Sequence, residues 1–193
     1  MAPRSDEDLS PHFEMRAYWH DTFDQVFQDF HPDEWKLEPT KDAMPKEWRR
    51  FKDSAKVKFV CNECQNSWTS MKGLVIFWFK KIDTTDRRDG LTQQEEVDEE
   101  TRVPSTGDKN VYSLRFKLYG QQCRSCSDED FQLPKWYKEE VEKALNNVHR
   151  KIGELFYDFK KEERNTSKRH GRPRWSHDSK RCQACQEGQC SQS

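Results

Sequence analysis

The sequence has no hydrophobic run long enough to cross a bilayer. Its longest unbroken apolar segment, residues 74–79, is six residues long, whereas a membrane-spanning helix needs about 20. The N-terminal string MAPRSDEDLSPHF also lacks the apolar core of a secretory signal peptide. We therefore expect a cytoplasmic protein whose chain, as given, does not cross a membrane.

The sequence also lacks an excess of charge of either sign. Its 193 residues include 34 lysines and arginines and 35 aspartates and glutamates, which gives a formal net charge of −1. The whole chain therefore has no bulk attraction for nucleic acid or acidic membranes, and any such attraction must be local. A nucleophile elbow, a P-loop, an H-E-x-x-H helix and a glycine-rich nucleotide loop are all missing. We expect no enzymatic activity and no small-molecule substrate.

Aromatic residues are abundant, with seven tryptophans and twelve phenylalanines. Between Phe13 and Phe30, apolar residues recur at three- and four-residue steps, which predicts an amphipathic helix that ends before Pro32. This aromatic stripe consists of Trp19, Phe23, Val26, Phe27 and Phe30. We expect it to cover a core, although such a stripe can also bind a partner helix. After Pro134, a second helical period predicts a longer helix, with this proline in its first turn.

Between these helices lie segments rich in β-branched and aromatic residues. Residues 57–60 lead directly to Cys61 and predict a strand, and residues 67–81 and 111–119 predict further strands. Residues 32–45 are interpreted as a polar connector. The expected fold class is α+β, in which a small, zinc-ribbon-like antiparallel sheet of two or three strands is flanked by the two helices.

Two charged segments interrupt this pattern. Residues 83–109 hold nine acidic and four basic residues, which predicts a solvated loop. Residues 160–181 hold nine basic and three acidic residues, which predicts a basic linker. We expect one domain over residues 12–190, preceded by a disordered segment, 1–11, and followed by a short tail, 191–193.

Seven cysteines form three C-x-x-C pairs and leave one cysteine single. Cytosolic thiols are kept reduced, so metal binding explains these cysteines better than disulfides do. The two-residue spacing lets both sulfurs of a tight turn reach one Zn²⁺ ion, at about 2.3 Å. The cysteines are Cys61 and Cys64, Cys123 and Cys126, Cys182 and Cys185, and the single Cys190.

The pattern predicts two structural zinc sites. Antiparallel strands between the first two pairs would bring them together as one four-thiolate site, with Cys61, Cys64, Cys123 and Cys126 as ligands. A second, local site at the C-terminus would use His177, Cys182, Cys185 and Cys190. Such filled sites leave no position for a catalytic water.

The second site leaves alternatives open. His170 competes as a ligand, and we favour His177 because its spacing to Cys182 equals that from Cys185 to Cys190. The three C-terminal cysteines can instead be surface thiols on an unstructured tail. A redox role for the Cys123 pair is the remaining enzymatic alternative, which a measurement of bound metal would decide.

These motifs resemble those of the receptor-transporting proteins, which carry a three-C-x-x-C zinc-finger domain. The resemblance spans residues 12–190 and lies in the strings VKFVCNECQNSWTSMKGLVIFWF, LYGQQCRSC, FQLPKWYKEEVEKAL and HDSKRCQACQEGQC. It implies a cytosolic zinc protein that helps seven-helix G-protein-coupled receptors, notably odorant and taste receptors, reach the cell surface. It also implies that the C-x-x-C cysteines, Cys190 and the nearby histidine bind zinc.

The resemblance also offers an alternative function, because some relatives are interferon-induced antiviral proteins that bind RNA. Clustered cations neutralise phosphates, and an interleaved tryptophan can stack on a base. The candidate residues are Lys168, Arg169, His170, Arg172, Arg174 and Trp175. A solubilising linker is the other interpretation of this segment. Family members typically end in a membrane-spanning helix, which would place them on the cytosolic face of the endoplasmic reticulum or plasma membrane. The resemblance thus implies membrane association only through such a C-terminal anchor, which this chain, ending three residues after Cys190, does not contain.

Overall fold

A computed structural model describes residues 11–82, 109–127, 129–161 and 177–190. The helices are α1 (Pro11–Val26), α2 (Lys138–Phe156) and α3 (Gln183–Gln186), with 3-10 turns at Phe27–Phe30 and Ser179–Arg181. The strands are β1 (Glu34–Pro39), β2 (Arg49–Val60), β3 (Ser67–Ile82), β4 (Val111–Leu118) and β5 (Lys135–Trp136). Within these residues, no helix combines the length and hydropathy needed to span a bilayer.

The strands form one sheet in the order β1-β4-β3-β2-β5. The pairs formed by β2, β3, β4 and β5 are antiparallel, whereas β1 pairs with β4 in parallel. The predicted α+β class, with a sheet flanked by an N-terminal and a long helix, is confirmed. The predicted number of strands, two or three and all antiparallel, is wrong, because the sheet has five strands and β1 is parallel to β4. The polar connector predicted at residues 32–45 is wrong in part, because β1 lies within it and buries Trp35 and Leu37.

The aromatic stripe of α1 lies in the core. Trp19, Phe23, Phe27 and Phe30 are each at most 6% exposed. The Trp19 ring stacks on Phe116 of β4, with 5.0 Å between ring centroids. The helical period continues through the 3-10 turn, which keeps the last two phenylalanines on the same buried side. The stripe therefore covers the sheet.

Helix α2 begins later than the sequence predicts. Pro134 is not in its first turn, because Trp136 first pairs with Val57 as part of β5. From Lys138 onward the apolar period is the predicted one, and the side chains that it buries are Val141, Leu145, Val148 and Ile152. The residues after the proline thus form a strand, and the helix begins where the pairing of that strand ends.

The apolar run in β3 is buried on both faces of the sheet. Val75, Phe77 and Phe79 join the core under α1 and α2, on what we call the helix face. Ile76 and Trp78 lie on the opposite face, called here the second face, and contact buried residues of the chain's C-terminal end. Because successive strand residues point to opposite sides, a continuous apolar run requires two covered faces.

Candidate metal centres

The first C-x-x-C pair lies in the turn that joins β2 to β3. The turn is closed by two backbone hydrogen bonds, from the Cys61 N–H to the Asn66 carbonyl oxygen (2.9 Å) and from the Gln65 N–H to the Cys61 carbonyl oxygen (3.0 Å). Gln65 has a left-handed φ of 58°. Such a tight turn directs both sulfurs to one side, as a metal knuckle requires.

The second pair follows β4, which runs antiparallel to β3 and returns the chain to the same end of the sheet. The Trp68 indole N–H donates to the side-chain oxygen of Gln121 at 2.9 Å and holds the incoming segment against β3. Backbone hydrogen bonds between Gln121 and Gln132 fix its other side. The sheet therefore places Cys123 and Cys126 opposite the first pair.

The four sulfurs form a compact group that we call the ribbon cluster: Cys61, Cys64, Cys123 and Cys126. The Sγ atoms of Cys61 and Cys126 are 3.6 Å apart, and those of Cys64 and Cys123 are 3.7 Å apart. All four lie within 4.8 Å of one another. A tetrahedral ion with bonds of about 2.3 Å has ligands about 3.8 Å apart. The spacing of this group therefore fits one zinc ion.

The C-terminal cluster comprises His177, Cys182, Cys185 and Cys190, whose ligand atoms also lie within 4.8 Å of one another. His177 Nε2 is 3.0 Å from the Cys185 sulfur and 3.7 Å from the Cys190 sulfur. Gly188, with a left-handed φ of 65°, turns the chain so that the Cys190 N–H donates to the Ala184 carbonyl oxygen at 3.0 Å. The local grouping predicted from spacing is thus the one that the structure forms.

One thiol in each cluster has a strongly shifted pKa. Burial, followed by the neighbouring Cys190 and Cys182 thiols, raises the pKa of Cys185 to about 12. Burial also raises the pKa of Cys123, but the Ser125 backbone N–H and the neighbouring thiols outweigh it and lower this pKa to about 7. Crowded thiolates repel one another, and a divalent cation removes that repulsion. The donor sets, four sulfurs in one cluster and three sulfurs with an imidazole in the other, are those of structural zinc.

The C-terminal knuckle, residues 177–190, is fixed to the second face of the sheet. Cys182 and Ala184 are buried against Ile76 and Trp78. Around this contact, the ammonium of Lys117, itself 8% exposed, binds both carboxylate oxygens of Glu187 at 2.7 and 2.8 Å. The alternative of surface thiols on an unstructured tail is therefore wrong.

Three further hydrogen bonds attach this knuckle to the sheet. The Gly120 N–H donates to the Gln183 side chain at 2.9 Å, and the Gln122 N–H donates to the Arg181 carbonyl oxygen at 2.9 Å. Lys52 donates to the Gln189 carbonyl oxygen at 2.6 Å. Sequence analysis did not predict this docking, although the unbroken apolar run of β3 is a signal for a covered second face.

A polar surface cavity of about 400 Å³ lies beside the two clusters. The Asp178 carboxylate connects its walls, since it pairs with Arg124 of the ribbon cluster turn at 3.4 Å and with Arg181 at 3.1 Å. The remaining lining residues are His177, Ser179 and Lys180. We call this surface, with the cavity at its centre, the knuckle face.

The predicted RNA-binding residues lie outside the described residues. They are Lys168, Arg169, His170, Arg172, Arg174 and Trp175. The same holds for most of the acidic segment at residues 83–109 and for the short terminal segments. RNA binding through these cations, and the comparison of His170 with His177 as a ligand, stay predictions.

Comparison with known proteins gives one family. A family model described as a zinc-binding domain, the three-C-x-x-C zinc ribbon, matches residues 54–188. Receptor-transporting protein 4 of Mus musculus is 24% identical over 175 residues, covering 86% of this chain and 61% of that protein. The Homo sapiens protein of the same name is 24% identical over 189 residues, covering 90% of this chain and 64% of that protein.

Receptor-transporting protein 3 of Mus musculus is 23% identical over 190 residues, covering 90% of this chain and 33% of that protein. The chain thus spans less than two thirds of the length of these relatives. No solved structure matches it significantly. None of these names describes an enzyme. Because the family match covers more than half of the chain and all three C-x-x-C pairs, this protein belongs to the three-C-x-x-C zinc-binding family, as its resemblance to the receptor-transporting proteins predicted.

Proposed function

We propose that this protein is a non-enzymatic zinc adaptor that promotes transport of seven-helix G-protein-coupled receptors, of the odorant or taste type, to the cell surface. The observation that carries the proposal is similarity to proteins named as receptor transporters over 86% to 90% of the chain. The adaptor acts in the cytosol, where its seven cysteines stay reduced and available to metal.

Zinc in this proposal is structural and occupies both clusters. The ribbon cluster supplies four thiolates, and the C-terminal cluster supplies three thiolates and the His177 imidazole. Each ion then has four protein ligands and keeps no position for water or substrate, which is the arrangement of structural rather than catalytic zinc. The ligands of the two sites hold the sheet end and the C-terminal knuckle in their folded positions.

The receptor-binding surface in this proposal is the knuckle face. The other candidate surface was the aromatic stripe of α1, but Trp19 is 2% exposed and Phe30 is 1% exposed, so these rings are not available to a partner. The knuckle face instead presents exposed polar groups, among them Lys180 and Arg124, beside the cavity. Such a polar surface suits reversible binding to the cytosolic loops of a receptor.

Surface delivery of a tagged receptor tests the proposal. The protein is co-expressed with a panel of odorant and taste receptors, and surface receptor is counted by flow cytometry on unpermeabilised cells. We expect the protein to raise the surface signal and Lys180→Glu to reduce that gain. Lys143→Glu is the matched control, because Lys143 is exposed on α2, away from the knuckle face. No gain with any receptor, for a protein shown to be folded and zinc-loaded, would reject the proposed function.

A further inference from the structure

Strand β2 carries basic residues at alternate positions. Its odd-numbered residues Ala55, Val57 and Phe59 are buried in the core on the helix face. The even-numbered residues between and before them therefore point to the second face, because side chains alternate along a strand. Four of these even-numbered positions are basic: Arg50, Lys52, Lys56 and Lys58.

Neighbouring strands extend this basic surface. In the sheet register, Lys58 lies opposite Lys135 of β5, while Arg115 and Lys117 of β4 lie opposite Trp78 and Ile76 of β3. Residues directly opposite each other share a face. We call the resulting surface the basic face. Its cations, which surround the C-terminal knuckle, are Arg50, Lys52, Lys56, Lys58, Lys80, Arg115, Lys117 and Lys135.

Most of this charge has no carboxylate partner. Arg115 pairs with Glu38 at 3.2 Å, and Lys117 pairs with Glu187. In the described part of the chain, no carboxylate lies within ion-pair distance of the other cations of this face. Arg50 and Lys52 donate hydrogen bonds to the neutral Gln189, and Lys52 also lies close to the Cys190 thiol. A chain of net charge −1 therefore concentrates uncompensated positive charge on one side of its sheet.

Of the aromatic rings beside the cations of the basic face, Trp48, Trp78 and Tyr119 are buried, and Tyr137 is half-buried under the ammonium of Lys56, at 5.4 Å. Trp48 is 9% exposed and lies under the ammonium of Lys80, at 5.3 Å, and the guanidinium of Arg115, at 5.6 Å. Trp78 and Tyr119 are 3% and 2% exposed. Single-stranded nucleic acids are bound by exposed rings on which bases stack. The described rings of the basic face are buried or lie under one of its cations, so its charge suits a layer of phosphate groups better than nucleobases.

An exposed leucine lies beside the basic face. Leu133 is 57% exposed, the highest value among the large apolar side chains that the structure describes. It is two residues before Lys135 of β5. The residue before it, Gln132, is 3% exposed and forms a β-bridge with Gln121. Peripheral membrane proteins combine cations that contact lipid headgroups with apolar side chains that enter the interface.

We propose that the basic face, with Leu133 at its margin, docks this domain onto an anionic phospholipid membrane. The exposed cations Arg50, Lys56 and Lys58 contact lipid phosphates, and Leu133 enters the headgroup region. The assignment rests on the complementarity between the positive charge of the basic face and the negative charge of the lipid headgroups. The docking is independent of the proposed receptor role, and it differs from association through a terminal anchor because it uses the folded sheet.

Vesicle binding by the zinc-loaded full chain tests the proposal. We expect the protein to co-sediment with vesicles that contain phosphatidylserine, but not with pure phosphatidylcholine, and to dissociate as salt is raised. Each cation near an anionic membrane is worth about fivefold in affinity, so Lys56→Glu with Lys58→Glu should weaken binding at least about twentyfold. Lys56→Gln with Lys58→Gln should give a smaller loss and serves if the charge reversal fails to fold.

Lys143→Glu is the control, since Lys143 lies on α2, which covers the helix face. It should bind like the unchanged protein. A second arm compares Leu133→Ser on phosphatidylserine vesicles and on single-stranded RNA. Weaker vesicle binding by this variant supports membrane docking. The proposal is overturned if the protein ignores phosphatidylserine at low salt, if the Lys56 and Lys58 variants bind unchanged, or if RNA binds more tightly than vesicles and Leu133 has no effect.

Discussion

The ribbon cluster and the C-terminal cluster use similar donor atoms, but they differ in how far apart their ligands lie along the chain. In the ribbon cluster, the sulfur pairs of Cys61 with Cys126 and of Cys64 with Cys123 are 65 and 59 residues apart. In the C-terminal cluster, His177 is 8 residues from Cys185 and 13 from Cys190. The first cluster therefore depends on the whole sheet for its assembly, whereas the second can close within one short segment.

This difference predicts different consequences of losing each cluster. Cross-linking distant residues removes much conformational entropy from the unfolded chain, while a short loop removes less. The ribbon cluster also holds the end of β2, β3 and β4, on which both covered faces are built. Losing it should unfold the domain, whereas losing the C-terminal cluster should release the knuckle and uncover one face.

The largest effect is expected from Cys64→Ser or from a strong chelator. Structural zinc contributes on the order of 10 kcal/mol or more to folding, which exceeds the stability of many domains. We expect loss of the cooperative thermal transition and of near-ultraviolet circular dichroism. Asn62→Ala changes a non-ligand in the same turn and should melt normally. Unchanged melting in strong chelator would falsify a structural role for zinc.

A smaller, local effect is expected from His177→Ala. Native mass spectrometry should count one zinc per chain instead of two, while the helical circular dichroism of α1 and α2 remains. Release of the knuckle should expose Trp78, which red-shifts tryptophan fluorescence and speeds amide exchange in β3 and β4. His170→Ala is the matched control and should keep both ions. If it loses an ion and His177→Ala does not, His170 is the ligand.

The next largest effect is expected from breaking the contact between the C-terminal knuckle and the sheet. Glu187→Ala leaves the Lys117 ammonium, which is 8% exposed, without its carboxylate partner. This should lower the free energy of unfolding by about 3 kcal/mol. That value is at the low end for breaking a buried pair, because Glu187 is itself 34% exposed. Urea unfolding of the zinc-loaded protein measures this cost. Lys117→Met combined with Glu187→Met should recover most of it, since no unpaired charge remains. Equal destabilisation of the single and double variants would contradict this account.

The smallest effect is a pH dependence from His149 on the helix face, remote from both clusters. Burial lowers the pKa of His149, and the Asp29 carboxylate 3.8 Å away opposes this only in part. The unfolded chain takes up a proton at His149 near pH 6.5, whereas the folded chain takes it up only at a lower pH. Stability should therefore be full above that pH and decrease as the pH falls below it.

Urea unfolding at pH 7.5 and at pH 6, in excess zinc, measures the slope for His149. His149→Phe keeps a ring between its aromatic neighbours Phe27 and Phe30, and it should flatten the difference between the two pH values. A slope that is the same in this variant would assign the pH dependence to the metal ligands instead.

Local pattern was sufficient for some parts of this molecule. The aromatic steps from Trp19 to Phe30 and the apolar period of α2 each predict a buried helix side, because helical neighbours follow from spacing alone. The grouping of His177 with Cys190 was likewise predictable, since its loop spans so few residues. In the same way, residues 67–81 predict β3 almost to its ends.

Other parts depend on partners far away in the sequence. Residues 34–39 contain only two large apolar side chains and end in proline, so their local preference for a strand is weak, and pairing with β4 makes them β1. Pro134 is followed by a strand rather than a helix because Trp136 meets Val57 across the sheet. Strand pairing between distant segments is not encoded in local periodicity.

The sequence by itself indicated the cysteines of both clusters, the buried sides of α1 and α2, and the zinc-binding family, because these depend on spacing and on short motifs. Only the tertiary structure decided that the C-terminal knuckle covers the second face, that α1 offers no free aromatic surface, and that the cations of β2, β4 and β5 lie side by side. The physical reason is that each of these features is a contact between segments more than fifty residues apart along the chain, brought together only when the sheet forms.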